Sequence, residues 1–200
     1  MTKSLILLSG GIDSAVLLWW ARRQGYRIAT LSVLFPGRRQ SELNSVSRLR
    51  RLSRSRQDFD VFLPFIDPPL AQKSCFIPQR NLMYYGMAAS LAEKIGAGLI
   101  LGGHIRHDGA VFKDATPAFF ARLQTLVQSP RNGGPKIRFK FPFMEMDKRD
   151  IITLGSELKV PFAATWSCSR DLTRPCGRCG SCRERSAGFS AAKIKDPLNP

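Results

Sequence analysis

Leu5-Ile6-Leu7-Leu8-Ser9-Gly10-Gly11-Ile12-Asp13-Ser14 decides the fold: a short apolar run, a glycine pair, then Ala15 to Ala21, apolar almost all round and carrying Trp19 and Trp20. The pattern reads as strand, tight turn and buried helix. At such a junction successive backbone N–H groups and the helix dipole hold an anion. Gly10 and Gly11 let the backbone approach phosphates with no side chain in the way, and Ser14 offers a hydroxyl. Asp13, a poor direct phosphate ligand, suits Mg²⁺ or the turn itself. In isolation a Gly-Gly turn with an Asp cap is the commoner structure; its place behind the first strand favours a phosphate loop. Leu8, Ser9, Gly10, Gly11, Ile12, Asp13 and Ser14 are therefore the candidate nucleotide-binding set. No Gly-Lys-Ser or Gly-Lys-Thr follows, so this is not a Walker loop.

Outward from that loop, Ile28 to Phe35 reads as a second strand after a stop at Gly25. Leu43, Val46, Leu49 and Leu52 recur every three residues in an Arg-rich stretch and indicate a helix. Phe59 to Phe65 is expected as the third strand, and Pro64, Pro68, Pro69 and Pro78 make the next stretch a loop. Leu82, Met83, Met87, Leu91 and Ile95 place a helix over Asn81 to Ile95, ended by Gly96, with a fourth strand over Leu99 to Leu101. Gly102 to Ala115 has no apolar period and is expected as a functional loop at that strand's carboxyl end. Thr116 to Gln128 reads as a helix capped by Thr116. After the Pro130 to Pro135 loop, Ile137, Phe139 and Phe141 alternate as a strand, and Asp147 to Leu158 supplies another helix. The fold class is α/β, a five-stranded parallel sheet with helices on both faces.

The chain has 200 residues, 44% hydrophobic and 23% charged, which are globular values that exclude wholesale disorder. Its net charge of +16 favours anionic partners such as nucleotides or RNA without choosing among them. No apolar run approaches the ~18 to 20 residues of a membrane helix, and Leu5 to Leu8 is too short for a signal peptide, so a soluble cytoplasmic protein is expected. Cys168, Cys176, Cys179 and Cys182 crowd the C-terminal stretch and suit a metal site in a reducing compartment, leaving Cys75 outside. Four thiolates meet the demand of a closed tetrahedral Zn²⁺ site, with an iron–sulfur cluster as the rival.

The Ser9 to Ser14 loop resembles the SGGxDS loop of the ATP pyrophosphatase (PP-loop) superfamily, whose members split ATP between the α and β phosphates and adenylate a substrate. Thr165-Trp166-Ser167-Cys168 and Pro175-Cys176-Gly177-Arg178-Cys179-Gly180-Ser181-Cys182-Arg183, on to Gly188-Phe189, resemble the C-terminal zinc module of one branch, the 7-cyano-7-deazaguanine synthase (QueC) family. Ile77-Pro78-Gln79-Arg80-Asn81, Glu93-Lys94-Ile95-Gly96-Ala97, Phe141-Pro142-Phe143 and Asp147-Lys148 resemble it too. The resemblance implies an ATP-binding α/β domain over residues 1–160 and a zinc-binding module over 161–200 packed on it. It implies an enzyme that adenylates a 7-deazaguanine carboxylate, lets ammonia displace AMP to give an amide, and dehydrates that amide to the nitrile with a second ATP, for queuosine- or archaeosine-type tRNA modification. ATP and Mg²⁺ would be used and Zn²⁺ would be structural. On this resemblance Asp13, Lys148 and Asp108 are the candidate catalytic residues, with Lys148 near the phosphates. Arg80, Asn81, His104, Asp108 and Asp114 are the candidate substrate contacts. The small carboxylate and ammonia are the expected partners, with tRNA and a second copy of the chain as further candidates.

The family's loop after the fourth strand carries an Asn or Glu, a Ser-Gly-Tyr-Pro-Asp-Cys run and then an Arg. Here it reads Gly103-His104-Ile105-Arg106-His107-Asp108-Gly109-Ala110-Val111-Phe112-Lys113-Asp114, in which only Asp114 and the later Phe119 or Phe120 fit. Its first half resembles instead the Gly-His-x-x-Asp-Asp stretch of tRNA-modifying PP-loop enzymes, so an enzyme acting directly on a tRNA base is the alternative. A nucleotide-binding module without turnover is a second alternative. Arg38, Arg39, Arg48, Arg50, Arg51, Arg54 and Arg56 read by default as a solvated helix face and otherwise as an RNA footprint.

Overall fold

The structure, a computed structural model, describes residues 1–55, 57–66, 77–128 and 136–198. Cys75, Arg56, Pro68, Pro69 and the Pro130 to Pro135 loop lie outside the described residues. Five strands, β1 (Lys3–Leu7), β2 (Arg27–Leu34), β3 (Gln57–Phe62), β4 (Leu99–Leu101) and β5 (Arg138–Lys140), form one parallel sheet in the order β3-β2-β1-β4-β5. The chain winds outward from β1 through β2 to β3, then crosses to β4 and β5. The direction of winding therefore reverses between β1 and β4, and the carboxyl ends of the strands at such a reversal are where open α/β sheets bind ligands.

Helices cover both faces because the central strands are apolar on both. Leu5 and Ile6 of β1 are each fully buried, on opposite sides. On the Ile6 side lie α1 (Ile12–Arg23), Val46 and Leu49 of α2 (Gln40–Ser53), Ile151 and Ile152 of α6 (Lys148–Glu157), and Phe189 of α7 (Gly180–Ala191). On the Leu5 side lie Tyr85, Ala88 and Ala92 of α3 (Arg80–Ile95) and Phe120 and Leu123 of α5 (Pro117–Gln128). Helix α3 stops at Gly96, whose φ of +71 turns the chain and lets its N–H reach Glu93 O at 3.2 Å. Thr116 caps α5 by accepting from the Phe119 N–H at 3.2 Å.

Three expectations are corrected. Gly102 to Ala115 is not a loop throughout: it folds into α4 (Arg106–Val111) and a 3₁₀ turn over Lys113–Ala115. No residue of α4 is buried, so hydrophobic period could not reveal it. β3 ends at Phe62 rather than Phe65; it is an edge strand, and Pro64 has no N–H to extend the ladder. Leu52 is 46% exposed, because a three-residue repeat falls behind the helical period and has rotated off the buried stripe by the fourth position.

A candidate ATP site beside a four-cysteine cluster

The loop from Ser9 to Ser14 leaves β1 at the reversal point and enters α1, with Gly11 as the helix's N-terminal cap. Gly10 has φ +92, and a Cβ there would stand 2.9 Å from Glu42 O and 3.1 Å from Ser45 Cβ. Only glycine fits between the loop and α2. Gly10 O accepts from Ser45 Oγ at 3.0 Å and from Trp166 N–H at 2.9 Å, which ties the loop to α2 and to the segment preceding the cysteines. Ser14 Oγ donates to Gly11 O at 3.1 Å and lies 3.1 Å from Ser9 Oγ, so the two hydroxyls face each other across the turn. Leu8 and Ile12 are buried in the core and brace the loop from below.

Lys148 reaches this loop from the first turn of α6. Asp147 and Asp150 cap that helix reciprocally, each carboxylate accepting the other's N–H at 3.0 Å, which fixes where Lys148 starts. Its Nζ lies 2.8 Å from both carboxylate oxygens of Asp13 and 3.5 Å from Glu184 Oε1 of α7. Burial works against the ammonium, but the Asp13 and Glu184 carboxylates outweigh it and hold Lys148 above its ordinary value. Burial also pushes the Asp13 carboxyl upward against the pull of Lys148. Both Asp13 oxygens lie on the ammonium, and 29% of the side chain is open to solvent.

Arg38, at the carboxyl end of β2, turns inward with 5% of its side chain exposed. It donates to Ser9 O at 3.0 Å, to Ser32 Oγ at 2.8 Å and to Val33 O, and pairs with Glu42 at 3.6 Å. Arg50 also turns inward, reaching Phe59 O at 2.7 Å and Asp60 at 3.0 Å. The arginine run is thus not one solvated face: Arg38 and Arg50 are internal, while Arg48, Arg51 and Arg54 are exposed.

The chain leaving β4 passes so close to the loop that a Cβ on Gly103 would meet Asp13 O at 3.1 Å. His104 follows, its ring among Phe120, Tyr85 and Phe141 with centroids 4.9, 5.7 and 5.7 Å away. Its Nδ1 lies 3.6 Å from Asp108 Oδ2, the same oxygen that accepts the Ile105 N–H at 3.0 Å. Burial pushes the Asp108 carboxyl up, but His104 and the Ile105 N–H prevail and hold it below the usual carboxylate range. Burial drives the Tyr85 phenol far above its ordinary value, so it stays protonated.

The sulfurs of Cys168, Cys176, Cys179 and Cys182 all lie within 4.8 Å of one another, with Cys176 and Cys182 at 4.0 Å. One tetrahedral ion with metal–sulfur bonds near 2.3 Å needs its sulfurs about 3.8 Å apart. A polynuclear cluster, with each thiolate on a different iron, would hold them further apart. Backbone N–H groups of Cys176, Ser169 and Cys182 point at sulfurs from 3.4 Å, as suits thiolates. The cluster therefore fits a single metal ion.

The family model described as "Queuosine biosynthesis protein QueC" matches residues 3–63 and 67–193. The chain belongs to the QueC family. It is 32% identical to 7-cyano-7-deazaguanine synthase of Archaeoglobus fulgidus, over 98% of this chain and 89% of that one. It is 33% identical to the same-named protein of Stutzerimonas stutzeri, over 98% and 96%. Its fold is similar to that of NMN synthetase from Francisella tularensis, with a TM-score of 0.57 at 13% identity, over 96% of this chain and 77% of that one.

In this QueC chain the structure gathers Asp13, Ser14, Lys148, His104 and Asp108 near the carboxyl ends of β1 and β4. Arg80, Asn81 and Asp114 form a second group. There the Asn81 N–H donates to Asp114 Oδ2 at 3.0 Å, Asn81 Nδ2 donates to Asp114 O at 2.8 Å, and the Arg80 guanidinium stands 5.4 Å from the Phe112 ring. Sequence reasoning missed Glu184, for which an isolated Glu among arginines carries no signal. It also missed the inward turn of Arg38, although a residue just past a strand's carboxyl end is where ligand contacts collect.

Proposed function

We propose that this QueC protein is an ATP-dependent 7-cyano-7-deazaguanine synthase. The observation that carries the reading is the Ser9 to Ser14 loop at the reversal of the sheet, with Lys148 on Asp13, in a chain whose QueC match spans nearly its whole length. The loop's N–H groups and Ser14 hold the pyrophosphate end of ATP, and Lys148 neutralises charge on the leaving pyrophosphate. Mg²⁺ accompanies the nucleotide, with Asp13 and Glu184 as the carboxylates beside the loop that offer it oxygen. The substrate carboxylate attacks the α-phosphorus, pyrophosphate leaves, and ammonia displaces AMP to give the amide. A second ATP activates the amide oxygen, and loss of AMP leaves the nitrile. No protein nucleophile is needed, so the chain's work is positioning and charge neutralisation. The four thiolates hold Zn²⁺ in a closed, structural site.

We assign residues 1–160 to ATP binding and 161–200 to the metal module. We place the enzyme in the cytoplasm, where cysteines stay reduced; no helix among the described residues is long and apolar enough to cross a membrane. Incubation with the free deazaguanine carboxylate, ammonium, Mg²⁺ and ATP should yield AMP and pyrophosphate, and ADP as the product would refute the reading. The exposed Arg48, Arg51 and Arg54 favour one second reading, direct action on tRNA. Release stimulated only by unmodified tRNA, and falling steeply with salt, would establish that one instead.

A further inference from the structure

The amine that attacks an acyl adenylate must be free of its extra proton, yet at neutral pH the supply is almost entirely ammonium. Resting on the synthase reading above, we propose that His104, seated on Asp108, is the group that takes this proton. The other ionisable groups around it are already committed. Lys148 is held protonated by Asp13 and Glu184, and Asp13 has both oxygens on Lys148. Asp108 is a weak base with one oxygen on the Ile105 N–H, and the Tyr85 phenol keeps its proton.

His104 is placed for the task. Pairing of β4 with β1 brings it to the phosphate loop, one residue beyond the Gly103 contact with Asp13 O and, at 3.3 Å for a built Cβ, with Ser14 N. Asp108 stands 3.6 Å from Nδ1, where its negative charge orients the ring and stabilises the imidazolium once formed. Asp108 cannot shift freely, because it caps the first turn of α4. Nε2 meets no hydrogen-bonding partner among the described residues, and 14% of the side chain is open. The walls of Phe120, Phe141 and Tyr85 limit water around it and strengthen the local electrostatics. In the step, a proton of ammonium passes to Nε2 while the nitrogen lone pair so freed forms the C–N bond. The acyl C–O bond breaks, AMP departs with its electron pair, and the second proton that the nitrogen must shed to become a neutral amide leaves on the departing phosphate.

His104→Asn keeps an N–H donor toward Asp108 and removes the base. The test sets three readouts side by side at neutral pH: ATP–pyrophosphate exchange with the deazaguanine carboxylate, amide formation from ammonium, and hydroxamate formation from hydroxylamine, which is mostly neutral there and needs no deprotonation first. The ratio of amide rate to hydroxamate rate should fall by at least about 100-fold, the ordinary scale of a lost general base, with ATP–pyrophosphate exchange retained. Asp108→Asn, which retains an acceptor for Ile105, is the second variant. It should lower the same ratio by about tenfold. Equal loss of amide and hydroxamate in both variants, or an unchanged amide rate, overturns the role of His104. Absence of exchange in the wild-type protein overturns the substrate reading, and this role with it.

Discussion

Gly10 and Gly11 are adjacent, yet their environments assign them different work, and alanine at each should separate stability from nucleotide binding. At Gly10 a side chain must adopt φ +92 and place its Cβ 2.9 Å from a backbone oxygen and 3.1 Å from Ser45 Cβ. The backbone strain is worth about 1–3 kcal/mol and the overpacking about as much again, so Gly10→Ala should cost roughly 2–6 kcal/mol. For a chain of this size that corresponds to a fall of roughly 5–20 °C in melting temperature. At Gly11 φ is −78, and a Cβ meets nothing nearer than Ser9 Oγ at 3.5 Å and Trp166 O at 3.8 Å. Gly11→Ala should therefore change stability by about 1 kcal/mol or less. On the proposed reading, however, its methyl group would crowd the loop where the phosphates are to bind, and ATP affinity should drop at least about tenfold. Thermal unfolding without nucleotide and calorimetric ATP titration measure the two effects. A melting temperature for Gly11→Ala as low as that of Gly10→Ala, or unaltered ATP affinity in Gly11→Ala, would refute this division of labour.

Lys148→Met should reduce pyrophosphate release at least about 100-fold while the chain still folds, because on the proposed reading it removes the ammonium that neutralises the leaving pyrophosphate and leaves Asp13 and Glu184 without that partner. The purified protein should carry about one zinc per chain by elemental analysis, and Cys179→Ser should lose it together with several kcal/mol of stability; a folded, active Cys179→Ser would contradict a structural site. Asp171 has its carboxyl held below the usual range by the Ser41 hydroxyl and the N–H groups of Ser41 and Gln40. A depressed folded value means that its contribution is complete above the ordinary carboxylate range, near pH 4, and is lost as pH falls through the folded value. Asp171→Asn should accordingly flatten the acid limb of the stability profile, and an unchanged limb would exclude this contact as a contributor.

The parallel strands were legible because strands buried on both faces read as continuous apolar runs, as Leu5 to Leu8 and Leu99 to Leu101 do. The tight turn from β1 into α1 and the cysteine cluster were legible because a glycine pair between an apolar run and a helix marks a turn, and closely spaced thiols mark a metal-type cluster. Helix α4 escaped because it is held by Asp108 on the Ile105 N–H, with no buried side chain to leave a period. Arg38 and Glu184 escaped for a related reason. Whether a charged residue in a charge-rich stretch faces water or a partner depends on tertiary placement, which local sequence does not encode.

The cysteine cluster bears on the ATP site through contacts that no single motif announces. Its leading segment gives the Trp166 N–H to Gly10 O, and its intervening loop gives Asp171 to the N-terminus of α2, beside Arg38. Its helix gives Glu184 to Lys148 and sets Gly188 against the Lys148 stem, where a Cβ would stand 2.5 Å from Lys148 Cγ. Arg185 and Asp196, a buried pair at 2.8 Å, bind the tail to that helix, and Arg185 also donates to Thr165 Oγ1 at 2.8 Å, one residue before Trp166. A metal held by the four thiolates would therefore help to set the back of the Ser9 to Ser14 loop and the position of Lys148. Removing it should weaken ATP binding before the sheet itself unfolds, because the strands of the sheet pair with one another and not with the cluster.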